Sequence, residues 1–335
     1  DDGTPSCAKA RTLAFTSQLN QGEEISFNQV VNPGGGEKTE GKKVMASIFS
    51  TYNLSGQLEA FKRSLDLDPN NQTFWTNYLF AVNFSEKATP KDIYKINRKW
   101  GVLLEKNIKA EPQFQNRQNS NRRLKLGYYL PELDKHVTVR YLSPILAVHD
   151  KVKFELVGYG NRTDNKLPPS DITDVFDRWR DISKFTVAEI AEEMRGDKID
   201  ILLHPCTFKS RYRNILAYRA APIQIACTNL VSTTGLQATD YLITDSFISP
   251  VNSDESLYTE KLIRLSSFNT YKQFTGLKSV SSLPAQKNSL ITFGSCNNIA
   301  KINLEVIFTW AEILKKVKNS QLLLKHRAFD DDNRR

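Results

Sequence analysis

The sequence predicts an α/β protein with two lobes in tandem, preceded by a short all-α segment. Strands alternate with helices between Leu124 and Thr244, a pattern typical of a parallel sheet that is covered on both faces. A second strand, turn, helix and strand follow between Ser289 and Lys325, and this is how another parallel α/β domain opens. Because the chain stops soon afterwards, at Arg335, we expect the second lobe to be incomplete.

Composition changes along the chain predict its domain organisation. We expect a mostly disordered segment at 1–45, a helical tetratricopeptide-like segment at 46–112, a linker at 113–123, the first α/β lobe at 124–285 and the start of the second lobe at 289–335. Turn-forming residues dominate 32–36 (NPGGG), and the linker is polar and aperiodic.

The helical segment carries one repeat-like stretch, from Gly56 to Asn70. It resembles the second helix and closing proline of a tetratricopeptide repeat, with Pro69 ending the helix, although the interval is about one helical turn short. One repeat cannot bury its own apolar face. The stretch is therefore either the last repeat of an array or a helical lead-in to the first lobe.

Changes in the spacing of apolar residues along the sequence predict the helices and strands of the first lobe. We expect strands at Leu124–Leu130, Phe154–Tyr159, Ile199–Leu203, Ile223–Cys227 and Tyr241–Thr244. We expect helices at Val137–His149 and Val187–Arg195, with another helix that ends over Ile215–Arg219.

The second lobe opens with a buried strand, Leu290–Gly294, and the polar turn 295–298. An amphipathic helix follows, and Gln321–Lys325 forms the next buried strand. Ligands of parallel α/β domains bind at the carboxyl ends of the strands, beside the loop into the next helix. We expect Lys301 at the start of this helix, where a cation and free backbone N–H groups can together face a phosphate.

Composition indicates an ordinary globular protein, with 40% hydrophobic and 25% charged residues. We find neither an apolar run of about 18 residues nor an N-terminal signal pattern, so we expect a cytoplasmic protein without a membrane partner. The four cysteines, at positions 7, 206, 227 and 296, form no C-x-x-C pair. Neither a disulfide framework nor a metal site is therefore indicated.

The net charge of +9 is uneven, with ten Lys or Arg against three acidic residues between Lys91 and Lys125. Such a stretch can meet nucleic acid. A solvated helix face and linker is the favoured interpretation, because the stretch has few aromatic residues for base stacking. A nucleic-acid partner is thus unlikely on the sequence.

Short motifs from Asn77 onward resemble the catalytic region of glycosyltransferase family 41, the tetratricopeptide-linked peptide O-N-acetylglucosaminyltransferases, especially the bacterial members. The matching pieces are NYLF at 77–80, RKWG at 98–101, LGY at 126–128, APIQ at 221–224, TTG at 233–235, DYLITD at 240–245, YTEKL at 258–262 and GSCNNIAK at 294–301. Each is short, but their order and spacing make the match specific.

This resemblance implies a GT-B fold of tandem Rossmann-type lobes. It also implies inverting transfer of N-acetylglucosamine from UDP-N-acetylglucosamine to Ser or Thr of protein or peptide acceptors, without a metal or other cofactor. The catalytic residues that it implies are Lys301, His136 and Asp197. The donor-binding residues are Asn297, Asn298, Lys301, Thr233, Thr234 and Gly235.

The roles follow from the chemistry of a leaving diphosphate. A fixed cation stabilises the charge that grows on the β-phosphate, and the family lysine for this falls on Lys301. His136 could orient or deprotonate a hydroxyl. Asp197 matches the family aspartate before the third strand, but it also suits an ordinary Gly-Asp-Lys turn.

Departures from the family motifs keep other functions open. Asn229–Ser232 replaces a glycine-rich loop, and the family segment H-x-T-T-x-D would lie beyond Arg335, so we expect this chain to be inactive by itself. His204 and Cys206 suggest a nucleophile pair, with loop residues of no role as the favoured interpretation. The alternatives are a related protein O-fucosyltransferase using GDP-fucose and a noncatalytic protein-binding module with a degenerate cleft.

Overall fold

The computed structural model describes residues 12–16, 54–108, 112–117, 119, 121–131, 137–161, 170–205, 210–227, 232–267, 279–298 and 301–325. The chain forms two compact units. The central unit is Leu58–Thr275, and the second unit combines Asp1–Gln57 with Gly276–Arg335.

Helices and strands alternate through most of the described chain. The helices are α1 (Leu54–Leu67), α2 (Gln72–Val82), α3 (Pro90–Glu105), α4 (Val137–Ala147), α5 (Ser170–Thr173), α6 (Val187–Gly196), α7 (Ser210–Ala217), α8 (Ala285–Asn288) and α9 (Leu304–Lys316). The strands are β1 (Thr12–Thr16), β2 (Leu124–Leu130), β3 (Phe154–Gly160), β4 (Arg178–Asp181), β5 (Ile201–Pro205), β6 (Ile223–Cys227), β7 (Tyr241–Asp245), β8 (Lys261–Leu265), β9 (Ile291–Ser295) and β10 (Ser320–Lys325). A 3-10 helix covers Glu255–Leu257.

A seven-stranded sheet organises the central unit, in the order β4-β3-β2-β5-β6-β7-β8. All of its strand pairs are parallel. The α/β fold class that the sequence predicts is therefore confirmed. Parallel sheets need cover on both faces, because their strands are apolar on both sides.

Two apolar cores lie on opposite faces of this sheet. Tyr129 and Val157 point into the core that α1, α2, α3, α6 and α7 help to form. Tyr128 and Leu156 point into the other core, which contains residues of α4 and α5. Successive residues of one strand thus enter different cores, as the two-residue period of a strand requires.

Helices α2 and α3 pack on α7 and belong to the same compact unit as the first lobe. The predicted division between a helical segment at 46–112 and the first lobe stays a prediction within this unit. The predicted linker is also anchored to the lobe, because Asn116 donates to Asp200 over 2.7 Å and Arg122 pairs with the same carboxylate at 2.5 Å. The observed boundary between the units falls at Gly276, earlier than 285.

The second unit contains a three-stranded sheet in the order β1-β10-β9. Strands β9 and β10 are parallel and α9 connects them, as expected, whereas β1 pairs antiparallel with β10. The strand Thr12–Thr16 lies within the segment 1–45, whose mostly disordered character stays a prediction. The remaining residues before Leu54 lie outside the described ranges.

Most predicted elements of the first lobe are confirmed with boundaries shifted by a few residues. Strand β2 matches its prediction, and α1 ends before Pro69 as expected. Strands β4 and β8 were not predicted. Both are edge strands, of four and five residues, and carry exposed charged side chains in place of a long apolar run.

No helix in the described part of the chain is long and apolar enough to cross a membrane.

Candidate functional site

The strand order reverses between β2 and β5 in the central unit. From β2 the chain proceeds outward through β3 and β4, and it then returns to pair β5 with the other side of β2. Ligands of open α/β sheets bind at the carboxyl ends of the strands where the order reverses. The carboxyl ends of β2 and β5 are therefore the candidate binding edge of this unit.

His204 lies at this edge, one residue before β5 ends. Its side chain is 1% exposed, and Nε2 donates to the carbonyl oxygen of Tyr212 over 2.7 Å. Burial lowers the pKa of His204 to about 4, opposed only in part by the hydrogen bond to Tyr212. His204 is therefore a neutral imidazole at physiological pH, with its proton on Nε2.

Cys227, at the carboxyl end of the neighbouring strand β6, donates from Sγ to the carbonyl oxygen of His204 over 3.6 Å. Burial raises the pKa of this thiol to about 12. Since a thiolate is the nucleophilic form of cysteine, Cys227 is an unreactive structural residue. Cys206, the suggested partner of His204 in a nucleophile pair, lies outside the described residues.

Asp197 lies in an ion cluster between α6 and strands β3 and β4. Its carboxylate accepts hydrogen bonds from Tyr159 Oη at 2.7 Å, from both Nε and Nη2 of Arg180, and from Nη1 of Arg178 at 3.3 Å. Burial by itself would raise the pKa of Asp197, but the hydrogen bonds from Arg180 and Tyr159 outweigh it and hold the pKa below its usual range.

This cluster occupies the lone pairs of Asp197. Its backbone also lies near the amino end of β2, because Lys125 Nζ donates to its carbonyl oxygen over 2.9 Å. The amino ends are opposite to the edge where α/β sheets bind ligands. The geometry therefore favours a structural role for Asp197, and its catalytic role stays a prediction from the resemblance.

Thr233 and Thr234 are buried around the carboxylate of Glu260. Thr233 Oγ1 donates to Glu260 Oε2 over 2.8 Å, and the backbone N–H of Thr234 donates to Oε1 over 2.7 Å. Thr234 Oγ1 also donates to Oε1. The next residue, Gly235, has a φ of +77°, a conformation that glycine adopts without strain. Both hydroxyl groups are thus engaged inside the protein, and donor binding by this segment stays a prediction.

Helix α3 is bonded directly to the same segment. Arg98 Nη1 donates to the carbonyl oxygen of Gly235 over 2.9 Å and forms an ion pair with Glu105 at 2.9 Å. The Glu105 carboxylate in turn accepts from the backbone N–H groups of Gln237 at 2.6 Å and Ala238 at 3.3 Å. These contacts fix the Thr233–Gly235 segment to the helical part of the central unit.

Lys301 lies in the second unit, beside the turn that follows β9. It precedes α9 by three residues, so its predicted place inside the helix start is corrected: Asn303 is the N-cap and accepts from Val306 N–H. Lys301 is exposed, and its Nζ donates to Asn297 Oδ1 over 3.3 Å. The structure therefore brings together Lys301 and Asn297, at the carboxyl end of a parallel strand, while Asn298 lies in the same turn.

Several predicted positions lie outside the described residues, among them His136 and the Asn229–Val231 part of the altered loop. Among the described residues, no three His, Cys, Asp or Glu side chains are grouped as metal ligands.

Sequence reasoning missed the roles of Arg98, Glu105 and Glu260. A signal was available for two of them, because Arg98 and Glu260 belong to the motif pieces RKWG and YTEKL. Those pieces meet the TTG piece in space through the contacts described above. For Glu105, the sequence offered no signal.

A comparison with protein-family models matches residues 96–272 to glycosyl transferase family 41. A probable UDP-N-acetylglucosamine–peptide N-acetylglucosaminyltransferase SPINDLY from Oryza sativa is 32% identical over 82% of this chain and 30% of its own length. The enzyme SEC from Arabidopsis thaliana, named with the same probable activity, is 30% identical over 62% of this chain and 22% of its own.

Among solved structures, a mutant of the Thermobaculum terrenum O-GlcNAc transferase has a TM-score of 0.73 and 26% identity. The match covers 88% of this chain and 56% of the bacterial one. This chain spans about three tenths of the length of the SPINDLY proteins. Because the family model covers more than half of its residues, the chain belongs to glycosyltransferase family 41.

Proposed function

We propose that the protein takes part in inverting transfer of N-acetylglucosamine from UDP-N-acetylglucosamine to Ser or Thr hydroxyls of proteins. Family membership and the printed activities of the relatives support this proposal. The proposed reaction uses no metal or other cofactor. The free cysteines Cys227 and Cys296 support a cytoplasmic setting, where thiols stay reduced.

Lys301 is the observation that carries the proposal. Its ammonium group donates to the amide oxygen of Asn297, and no ion pair with a carboxylate is seen for it among the described residues. It is exposed at the carboxyl end of β9, where parallel α/β units bind their ligands. A diphosphate bound there would gain most from this cation while the sugar leaves, because negative charge then grows on the β-phosphate.

A noncatalytic protein-binding function is the second candidate. It is favoured by one observation, namely that the predicted donor-binding residues Thr233 and Thr234 are buried around Glu260. In this case the family fold would serve as a scaffold for protein contacts.

Transfer assays with the product of the complete reading frame distinguish these functions. The protein is incubated with a Ser/Thr-rich peptide and either UDP-N-acetylglucosamine or GDP-fucose, and the peptide mass is measured. We expect the peptide to gain the mass of one N-acetylhexosamine with the UDP donor. A mass increase of the peptide only with GDP-fucose would show that GDP-fucose, not UDP-N-acetylglucosamine, is the donor. No mass increase with either donor would support the noncatalytic function.

A further inference from the structure

The segment 112–117 crosses the surface of the central unit without joining its sheet. Half-buried and exposed side chains alternate along it, residue by residue, and this is the two-residue period of an extended chain. In the part of the chain that the structure describes, no main-chain hydrogen bond is seen for Gln113, Phe114 or Gln115. The segment therefore presents main-chain donors and acceptors that another chain could pair with.

A groove of about 370 Å³ lies beside this segment. Residues 112–115 line it together with four residues at the end of α6 and in the turn that follows, namely Glu192, Arg195, Gly196 and Lys198. Ligand sites in proteins have volumes of about 300–1,000 Å³. The groove is therefore large enough to receive side chains of a bound molecule.

Asn116 fixes the segment next to this groove. Its Nδ2 donates to the carbonyl oxygens of Lys198 at 3.0 Å and Ile199 at 3.2 Å, and to Asp200 Oδ1 at 2.7 Å. These acceptors lie in the turn that leads into β5, at the amino ends of the sheet. Because the segment is held in place before a partner arrives, less conformational entropy is lost on binding.

The charges along the groove favour an acidic ligand. Arg195 forms an ion pair with Glu192 at 2.5 Å, so these two charges offset each other. Lys198 is exposed, and no ion pair with a carboxylate is seen for it within the described ranges. Arg117, at the end of the segment, is also exposed. A carboxylate on the ligand would complement these cations.

We propose that this groove binds an extended, acidic segment of a partner polypeptide. The partner's main chain pairs with the N–H and C=O groups of residues 113–115, as an added strand does, and one of its carboxylates pairs with Lys198. A small anion would use the charge but not the main-chain groups, so a polypeptide fits the site better. The groove is at the amino ends of the strands, opposite to the candidate binding edge of β2 and β5, and its role does not depend on glycosyl transfer.

Hydrogen exchange on the full chain tests the main-chain pairing. In the free protein the amide hydrogens of residues 113–115 should exchange fast, because no hydrogen bond protects them. The probe is an end-blocked peptide of eight residues in which valine and glutamate alternate. We expect saturating peptide to slow the exchange of this segment by about 10-fold or more, which corresponds to roughly one net hydrogen bond.

A peptide with the same side chains but with every amide N-methylated is the control for the probe. It cannot donate main-chain hydrogen bonds, and its methyl groups block the edge that would pair. We expect it to bind about 10-fold more weakly or worse, as measured by fluorescence anisotropy at low salt. Equal affinity of the two peptides would refute main-chain pairing.

Lys198→Glu tests the charge in the groove. We expect it to weaken binding of the valine–glutamate peptide by about 3- to 10-fold, because an attraction becomes a repulsion. Lys184→Glu is the matched control, since Lys184 is also exposed but precedes α6 and so lies at the other end of that helix. Equal weakening by both variants would mean that only the net charge matters, and the proposal would be wrong. Unchanged exchange at 113–115 with saturating peptide would overturn it as well.

Discussion

Arg98 Nη1 donates a hydrogen bond to the carbonyl oxygen of Gly235 over 2.9 Å, joining residues 137 positions apart in the sequence. The contact connects helix α3 to a segment that the family resemblance assigns to donor binding. A partner that binds the helical part of the central unit would therefore act on a surface bonded to this segment. Helix α3 also approaches the backbone of Gly235 closely at Gly101, and a substitution of Gly101 tests this packing.

We expect Gly101→Ala to destabilise the central unit by about 1–3 kcal/mol, as overpacking does. A Cβ at Gly101 would lie 2.0 Å from the carbonyl oxygen of Gly235, and a backbone atom cannot move aside as a flexible side chain can. Urea unfolding measures the change. Gly196→Ala is the matched control, because a Cβ there meets nothing within 4 Å; equal stability of the two variants would contradict the prediction.

Asp197→Asn should lower stability by about 1–3 kcal/mol, because it leaves Arg178 and Arg180 without their shared buried carboxylate. Both arginine side chains are about two fifths exposed, so solvent reduces the loss. Thermal and urea unfolding measure it, with exposed Asp174→Asn as control. If Asp197→Asn abolished glycosyl transfer at unchanged stability, the structural role would be wrong and the catalytic one supported.

Acid should destabilise the protein partly through His204. Its pKa of about 4 in the folded protein is below the value of about 6.5 expected in the unfolded chain. Its neutral form therefore contributes stability that is complete above pH ~6.5 and is lost as the pH falls toward 4, by up to about 3 kcal/mol. Tyr129 and Cys227 stay uncharged in this range, and Arg213 stays positive.

The measurement is the free energy of unfolding at pH 7 and pH 4.5 for wild type and His204→Gln. Carboxylates titrate alike in both proteins, so the variant should lose less stability on acidification. Parallel pH dependence in the two proteins would show that the pKa of His204 is not lowered by folding.

Lys301→Ala should reduce turnover by the complete protein far more than its affinity for UDP-N-acetylglucosamine. The cation acts on charge that appears as the diphosphate leaves, so the loss falls on kcat. We expect a decrease of about 100-fold or more, as for other preorganised electrostatic groups. Steady-state kinetics of peptide glycosylation measure it.

Lys318→Ala is the control for Lys301→Ala. Lys318 is also exposed, but it precedes β10 and so lies at the amino end of the parallel pair. Its loss should leave both kcat and KM unchanged. A Lys301→Ala effect confined to KM would refute the role assigned to this lysine.

The sequence by itself determined the α/β class, the family and most elements. Strand β2 was placed correctly at Leu124–Leu130 and β6 at Ile223–Cys227, because apolar runs bounded by turn residues are local signals. The short edge strands β4 and β8 were not predicted, because an edge strand needs little apolar surface and carries charged side chains.

The roles of individual side chains were decided by the tertiary structure. Asp197 satisfies its carboxylate with Tyr159 and Arg180, and Thr234 bonds to Glu260. His204 has a spare nitrogen because nothing in the described chain reaches Nδ1. Each of these environments is formed by residues that are distant in the sequence and adjacent in the fold. The energies of burial and hydrogen bonding of these side chains are therefore set by the tertiary structure.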